Sequence, residues 1–213
     1  MKSIRNIIFD FGGVILNIDF NKTIEAFVNL GIDRFSDSFT GFNQSQVFND
    51  LETGRVTPSG FYEGLRNELG VNLTDEQIET AWNALLLDLP GERIEILKQV
   101  GQNYRMFLLS NTNQIHFESY NNRFRNAYGY NFGDLFEHAY WSFNVHERKP
   151  NAEIFRHVID KSGLIPAETL FIDDSIQHIT AARKLGLKTI HLQGIEIKDL
   201  FENGKLKAGV PIL

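Results

Sequence analysis

Short apolar runs that each close on a polar residue recur along this chain, at residues 5–10, 104–110, 137–142, 169–173 and 188–191. The first reads Ile7-Ile8-Phe9-Asp10 and the fourth Leu170-Phe171-Ile172-Asp173. These runs are continuous rather than alternating, which is the pattern of strands buried on both faces. Between them the apolar positions fall at helical spacing. Residues 92–101 precede the second run, with Gly101 fitting a C-cap. Residues 151–162 follow Pro150 and carry Ile154, Phe155, Val158 and Ile159 on one face; residues 175–185 stop at Gly186. Strands alternating with helices predict an α/β fold with a doubly wound, parallel, five-stranded sheet.

The first and second runs are separated by about 90 residues, far more than one crossover needs. Helical patterns fill the gap: 23–30 stopping at Gly31, 58–69 stopping at Gly70, and 74–87 opening on Thr74 and Gln77 in capping-box spacing. The expected organisation is a core domain from residues 1–18 and 91–213, with a small helical cap domain, residues 19–90, inserted after the first strand. Between His116 and Phe143 lie ten aromatic residues with Arg123 and Arg125 among them. Such interleaving can stack bases, but in an acidic chain it is expected to pack on the core or line a site entrance.

Net charge is -6, which argues against a general binder of nucleic acid or membrane surfaces. There is no cysteine, so disulfides, thiolate metal sites and cysteine nucleophiles are excluded. The N-terminal Lys2-Ser3-Ile4-Arg5 runs directly into a strand without the apolar stretch of a secretory signal, and no run is long enough to span a bilayer. A cytoplasmic protein is expected, monomeric by default. The Asn-x-Ser/Thr triplets at Asn21, Asn43 and Asn72 are then chance matches.

The polar residues that close the strands carry the chemistry. Asp10 is followed at once by Gly12-Gly13, a carboxylate at a strand end beside backbone free to wrap a ligand. Ser110 and Asn111 close the second strand, where a hydroxyl and an amide can hold phosphate oxygens. Lys149 stands just before a helix, a poor place for a cation unless an anion occupies it. Asp173 and Asp174 put two carboxylates at one strand end, the donor type that Mg²⁺ takes together with phosphate oxygens.

In this order and placement the residues resemble the haloacid dehalogenase-like (HAD) superfamily, in the branch with a helical cap after the first strand. Asp10-Phe11-Gly12-Gly13-Val14, Ser110, Lys149 and Asp173-Asp174 match its four motifs, and the resemblance spans essentially the whole chain. The opening motif with Ser110-Asn111-Thr112-Asn113 is most similar to sugar-phosphate phosphatases related to α-D-glucose-1-phosphate phosphatase. The resemblance implies a Mg²⁺-dependent phosphatase for a small phosphorylated metabolite. Asp10 would attack phosphorus and form an aspartyl-phosphate, which water hydrolyses. Asp10, the Gly12 carbonyl and Asp174 would hold Mg²⁺, with Asp173 either a direct ligand or a support. Ser110, Asn111 and Lys149 would bind the phosphoryl group.

Two positions depart from that pattern. Family phosphatases place an acid/base aspartate where this chain has Gly12; a good leaving group would need little help, or His116, His146 or Asp19 would substitute. His178 stands where an Asp or Asn usually orients the lysine, and either keeps that task or faces outward. In the cap, residues 50–56 resemble the loop that faces the core site, so Glu52 and Arg55 are candidate contacts to the leaving group. The alternatives are a dehalogenase, which would not need the paired aspartates, and a catalytically weak protein that binds a phosphorylated ligand. A phosphomutase would need the missing acid.

Overall fold

The computed structural model describes residues 3–33, 35 and 46–213. The Asn43 triplet and residues 36–45 of the expected cap lie outside them. Five parallel strands form the sheet: β1 (Asn6–Phe9), β2 (Arg105–Ser110), β3 (His138–Trp141), β4 (Thr169–Asp173) and β5 (Lys188–His191), in the order β3-β2-β1-β4-β5. Successive side chains of a strand point to opposite faces. Ile7, Phe9, Leu108, Leu170 and Ile172 therefore pack on one side and Ile8, Phe107, Leu109 and Phe171 on the other. The first side is covered by helices α5 (Gly91–Val100), α6 (Gln114–Tyr128) and α9 (Ile197–Leu200). The second is covered by α7 (Ala152–Lys161) and α8 (Ile176–Lys184). Burial on both faces is why these strands read as unbroken apolar runs.

Most of the aromatics between residues 116 and 143 join the first layer. Tyr120, Phe124, Phe132, Phe136 and Trp141 are buried there, and Phe11 sits 4.5 Å from the Tyr120 ring. They form core, not a base-stacking surface.

Helices α1 (Phe20–Asn29), α2 (Gln46–Glu52), α3 (Pro58–Leu69) and α4 (Asp75–Asn83) make a second body with its own apolar cluster. Phe27, Phe48, Phe61, Ile78 and Trp82 lie in it, and Ile115 of α6 joins from the sheet side. Thr74 and Gln77 close the expected capping box on α4, the Gln77 N–H donating to Thr74 Oγ1 at 3.2 Å and the Thr74 N–H to Gln77 Oε1 at 2.9 Å. The helix ends at Asn83 rather than at residue 87. Residues 85–88 instead run beside 17–19: the Leu87 N–H donates to Asn17 O and the Asp19 N–H to Leu85 O, both at 3.0 Å. The chain thus leaves and re-enters the sheet body through one paired neck, and this pairing takes the hydrogen bonds a longer helix would have used.

Register puts the strand ends together. Phe9 is paired with Leu108 on one side and Ile172 on the other, so Asp10, Ser110 and Asp173 emerge along one edge. The strand order reverses beside β1, the switch point at which such sheets bind ligands.

Candidate active site

A cavity of about 330 Å³ opens between that sheet edge and the helical body. Asp10 lies in its floor, 7% exposed; its Oδ1 accepts the Phe11 N–H at 2.7 Å and pairs with Lys149 Nζ at 2.7 Å. The Lys149 ammonium, fully buried, also meets Asp173 Oδ2 at 2.8 Å. One cation is thus suspended between two strand-end carboxylates. Burial works against its charge, but Asp10 and Asp173 outweigh it and hold the lysine above its ordinary range. The peptide that carries it is bracketed as well: Lys149 N–H donates to Asn111 Oδ1 and Asn111 Nδ2 donates to Lys149 O, each at 2.9 Å.

Asp173 and Asp174 take separate tasks, because neighbouring positions at a strand end diverge. Asp173 is fully buried and its oxygens are taken. Besides Lys149, they accept the Ser175 N–H at 2.8 Å and face His178 Nδ1 at 2.9 and 3.0 Å. Burial alone would raise this carboxyl; Lys149 and His178 overcome it and bring it to about 2. Asp10, Asp173 and His178 do converge within 4.8 Å, but the Lys149 ammonium already bridges the two carboxylates. Asp173 therefore supports the lysine in this structure, one of the two roles expected of it. His178 faces inward to Asp173 instead of outward.

Asp174 lines the cavity opposite, exposed, its carboxylate resting on Gly13. Gly13 has φ +79, and a Cβ there would run into that carboxylate, so both conformation and space require glycine. Asp174 forms no ion pair among the described residues, and burial and Asp173 raise its carboxyl. Asp10 is raised well above the carboxylate range, by burial first and then Asp173, against the pull of Lys149. The one ammonium pairs with Asp10 and Asp173 and leaves Asp174 unmatched, so negative charge is in excess at the strand edge. Asp10 Oδ2, the Asp174 carboxylate and the Gly12 carbonyl offer the oxygen donors that suit a hard divalent cation.

Ser110 lies in the cavity wall, and among the described residues its hydroxyl makes only a 3.4 Å contact to Asn111 O, so it is available. The Asn111 side chain is not, since both of its ends hold Lys149; its backbone N–H is the group that can meet an oxyanion.

Of the three expected substitutes for the acid, His116 alone lines the cavity. His116 reaches the cavity, but its Nδ1 faces Asn113 Nδ2 at 2.9 Å and its Nε2 the Trp82 carbonyl at 3.1 Å. Burial pushes its pKa down to about 4. It stacks on Trp82 at 5.0 Å and ties the two bodies together. Asp19 caps α1, accepting the Asn21 N–H at 2.9 Å, and His146 Nδ1 faces Thr53 O at 3.0 Å. Neither lines the cavity.

From the cap, Glu52 enters the cavity with Phe48 and Trp82, and pairs with Arg148 Nη1 at 2.6 Å. Burial raises the Glu52 carboxyl, against the pull of Arg148 and Lys149. Arg55 is exposed and lines a different groove, beside Phe117 and Phe143. The turn between them decides this. Gly54, at φ +65, lies where a Cβ would strike the Phe143 carbonyl, and the chain leaves the site there. Arg55 therefore lies outside the cavity that holds Asp10 and Glu52. Arg148, adjacent to the lysine in sequence, was not singled out by sequence reasoning; only the fold brings it to Glu52.

The sequence pattern of haloacid dehalogenase-like hydrolases matches residues 4–186. The chain belongs to that family. Among relatives, it is 32% identical over 186 residues to a D-ribitol-5-phosphate phosphatase of Bacteroides thetaiotaomicron, covering 87% of this chain and 90% of the relative. It is 26% identical over 194 residues to a sesquiterpene phosphatase of Aspergillus oryzae, covering 87% and 88%. A HAD family enzyme from B. thetaiotaomicron, crystallised as a variant with magnesium and inorganic phosphate, superimposes with a TM-score of 0.89 at 33% identity, over 94% of this chain and 100% of that one. Among the described residues, no helix of this HAD hydrolase is long and apolar enough to cross a membrane.

Proposed function

We propose that this HAD hydrolase is a Mg²⁺-dependent phosphatase of small phosphorylated metabolites, with sugar or polyol phosphates as substrates. The observation that carries the reading is the buried Lys149 ammonium held between Asp10 and Asp173, with Asp174 open on the other side. Bound Mg²⁺ would be held by Asp10, the Gly12 carbonyl and Asp174, and would offset the negative charge gathered as phosphate meets Asp10.

Asp10 attacks phosphorus and the ester oxygen departs, leaving an aspartyl-phosphate; water then attacks phosphorus and frees Asp10. Lys149 neutralises charge on Asp10 and on the phosphoryl oxygens, kept in aim by Asp173, His178 and Asn111. Ser110 Oγ and the Asn111 N–H hold equatorial oxygens. The work is positioning and preorganised charge. The D-ribitol-5-phosphate phosphatase relative supports the substrate class, and a cavity of about 330 Å³ suits a small ligand. The excess of carboxylates argues against the dehalogenase alternative, which needs no cation.

The test is phosphate release from polyol phosphates, sugar phosphates and acetyl phosphate, with and without Mg²⁺. Release that requires Mg²⁺ and disappears in Asp10→Asn is the expected result. Retention of Mg²⁺ and phosphate binding without release would favour the weak-binding alternative.

A further inference from the structure

The proposed reaction leaves one proton unassigned. Gly12 stands where the family's acid would be, and the departing oxygen of an alkyl phosphate needs a proton. Among the described residues, the carboxyl and imidazole groups lining the cavity are Asp10, Glu52, His116, Asp174 and His178. Asp10 is the nucleophile and Asp174 is committed to the cation. His116 has both ring nitrogens engaged between Asn113 and Trp82. His178 is turned to Asp173, on the nucleophile's side of the phosphorus. In-line displacement sends the leaving oxygen away from Asp10, toward the cap. Glu52 is the remaining group, and it comes from the cap. One of its oxygens is fixed by Arg148 at 2.6 Å; Oε1 makes no hydrogen bond among the described residues.

We infer that Glu52 is the acid/base residue of this enzyme, aimed by Arg148, and that it takes the place of the aspartate absent at Gly12. The inference rests on the phosphatase reading. In the first step the Asp10–phosphorus bond forms and the phosphorus–ester oxygen bond breaks, its electron pair staying on oxygen. The Glu52 carboxyl proton passes to that oxygen, and the alcohol leaves. Water takes the vacated position. Glu52 carboxylate removes a proton from it as its oxygen bonds to phosphorus, and the Asp10–phosphorus bond breaks to release phosphate. Glu52 ends protonated, as it began.

The experiment compares D-ribitol 5-phosphate, whose alkoxide needs a proton, with 4-nitrophenyl phosphate, whose phenolate leaves without one. Glu52→Gln keeps the shape and a partner for Arg148 but gives up the exchangeable carboxyl proton. It is expected to lower kcat on the alkyl ester by about 10²–10⁴-fold, with KM little changed. Loss in the first turnover of the aryl ester should stay below about tenfold, which also shows the variant to be folded. Glu52→Asp should restore part of the alkyl-ester rate. Equal losses on both esters, or a shift confined to KM, would make Glu52 a structural or binding residue and overturn the inference while leaving the phosphatase intact. Absence of Asp10-dependent release from either ester by the wild type would overturn the phosphatase reading, and the inference with it.

Discussion

On the sheet side of the cavity the polar groups hold one another: Lys149 lies between Asp10 and Asp173, His178 and Ser175 secure Asp173, and Asn111 brackets the lysine peptide. On the cap side Phe48, Trp82 and Leu86 present apolar surface, into which Glu52 brings a single carboxylate clamped by Arg148. The sheet side is costly to build, since each buried charge must be matched. The cap side rests on ordinary burial and on contacts across the interface. The two walls thus differ in what holds them: matched charge on the sheet side, apolar packing and one charged pair on the cap side.

The largest break in this comparison is Asp10→Asn. Activity should fall by ~10⁴-fold or more, as for loss of a nucleophile elsewhere. Stability should move the other way. The Asp10 carboxyl is raised by burial and by Asp173, so its ionised form costs the fold free energy, and the neutral amide removes that cost. A thermal melt at neutral pH, without Mg²⁺, should show a higher Tm for the variant. A lower Tm would mean that the Asp10–Lys149 pair is net stabilising.

Much of the sheet side was legible in the sequence, because a buried strand ending in a charge is a local pattern. Asp10, Ser110 and the Asp173-Asp174 pair were read from polar residues at strand ends, and Lys149 from its place before a helix. The division of labour within the pair follows from two-residue alternation, yet it became visible only with the partners of Asp173 in place. The cap side was less legible. Arg148 meets Glu52, and His116 meets Trp82, across packing that no short-range spacing encodes. Arg55 lies outside the cavity for a local reason, the left-handed turn at Gly54 that carries it away.

The two aspartates give the next contrast. Asp174→Asn should raise the Mg²⁺ concentration needed for activity by more than about 100-fold, beyond the 10–100-fold that outer partners of a metal site cost, and leave folding intact. Asp173→Asn should destabilise the protein by about 3–5 kcal/mol, because it leaves buried charge at Lys149 under-compensated. Denaturant unfolding and a Mg²⁺ titration separate the two. The contrast fails if both variants respond to Mg²⁺ alike.

His116 tests the seam between the walls. Its unfolded-state pKa is near 6.5 and its folded-state value about 4. Between those values the unfolded chain binds more protons, so stability falls as pH drops from 6.5 toward 4. The contribution is roughly 3 kcal/mol over that window. His116→Gln retains a donor for the Trp82 carbonyl and should flatten this part of the stability curve. An unchanged slope would assign the acid sensitivity elsewhere.

Arg55→Ala should do the least. The residue follows Glu52 by three positions, and its charge would suit a phosphorylated ligand. But Gly54 turns the chain, and Arg55 lies exposed in a groove with Phe117 and Phe143, outside the cavity. Exposed substitutions away from caps, cores and buried pairs usually stay within about 0.5 kcal/mol, so both kcat/KM and Tm should remain near wild type. A loss in kcat/KM confined to phosphorylated substrates, with Tm unchanged, would show that the cap turns Arg55 inward when substrate binds. The apolar wall would then carry a second charge during turnover, and the contrast between the two sides would hold for the free enzyme alone.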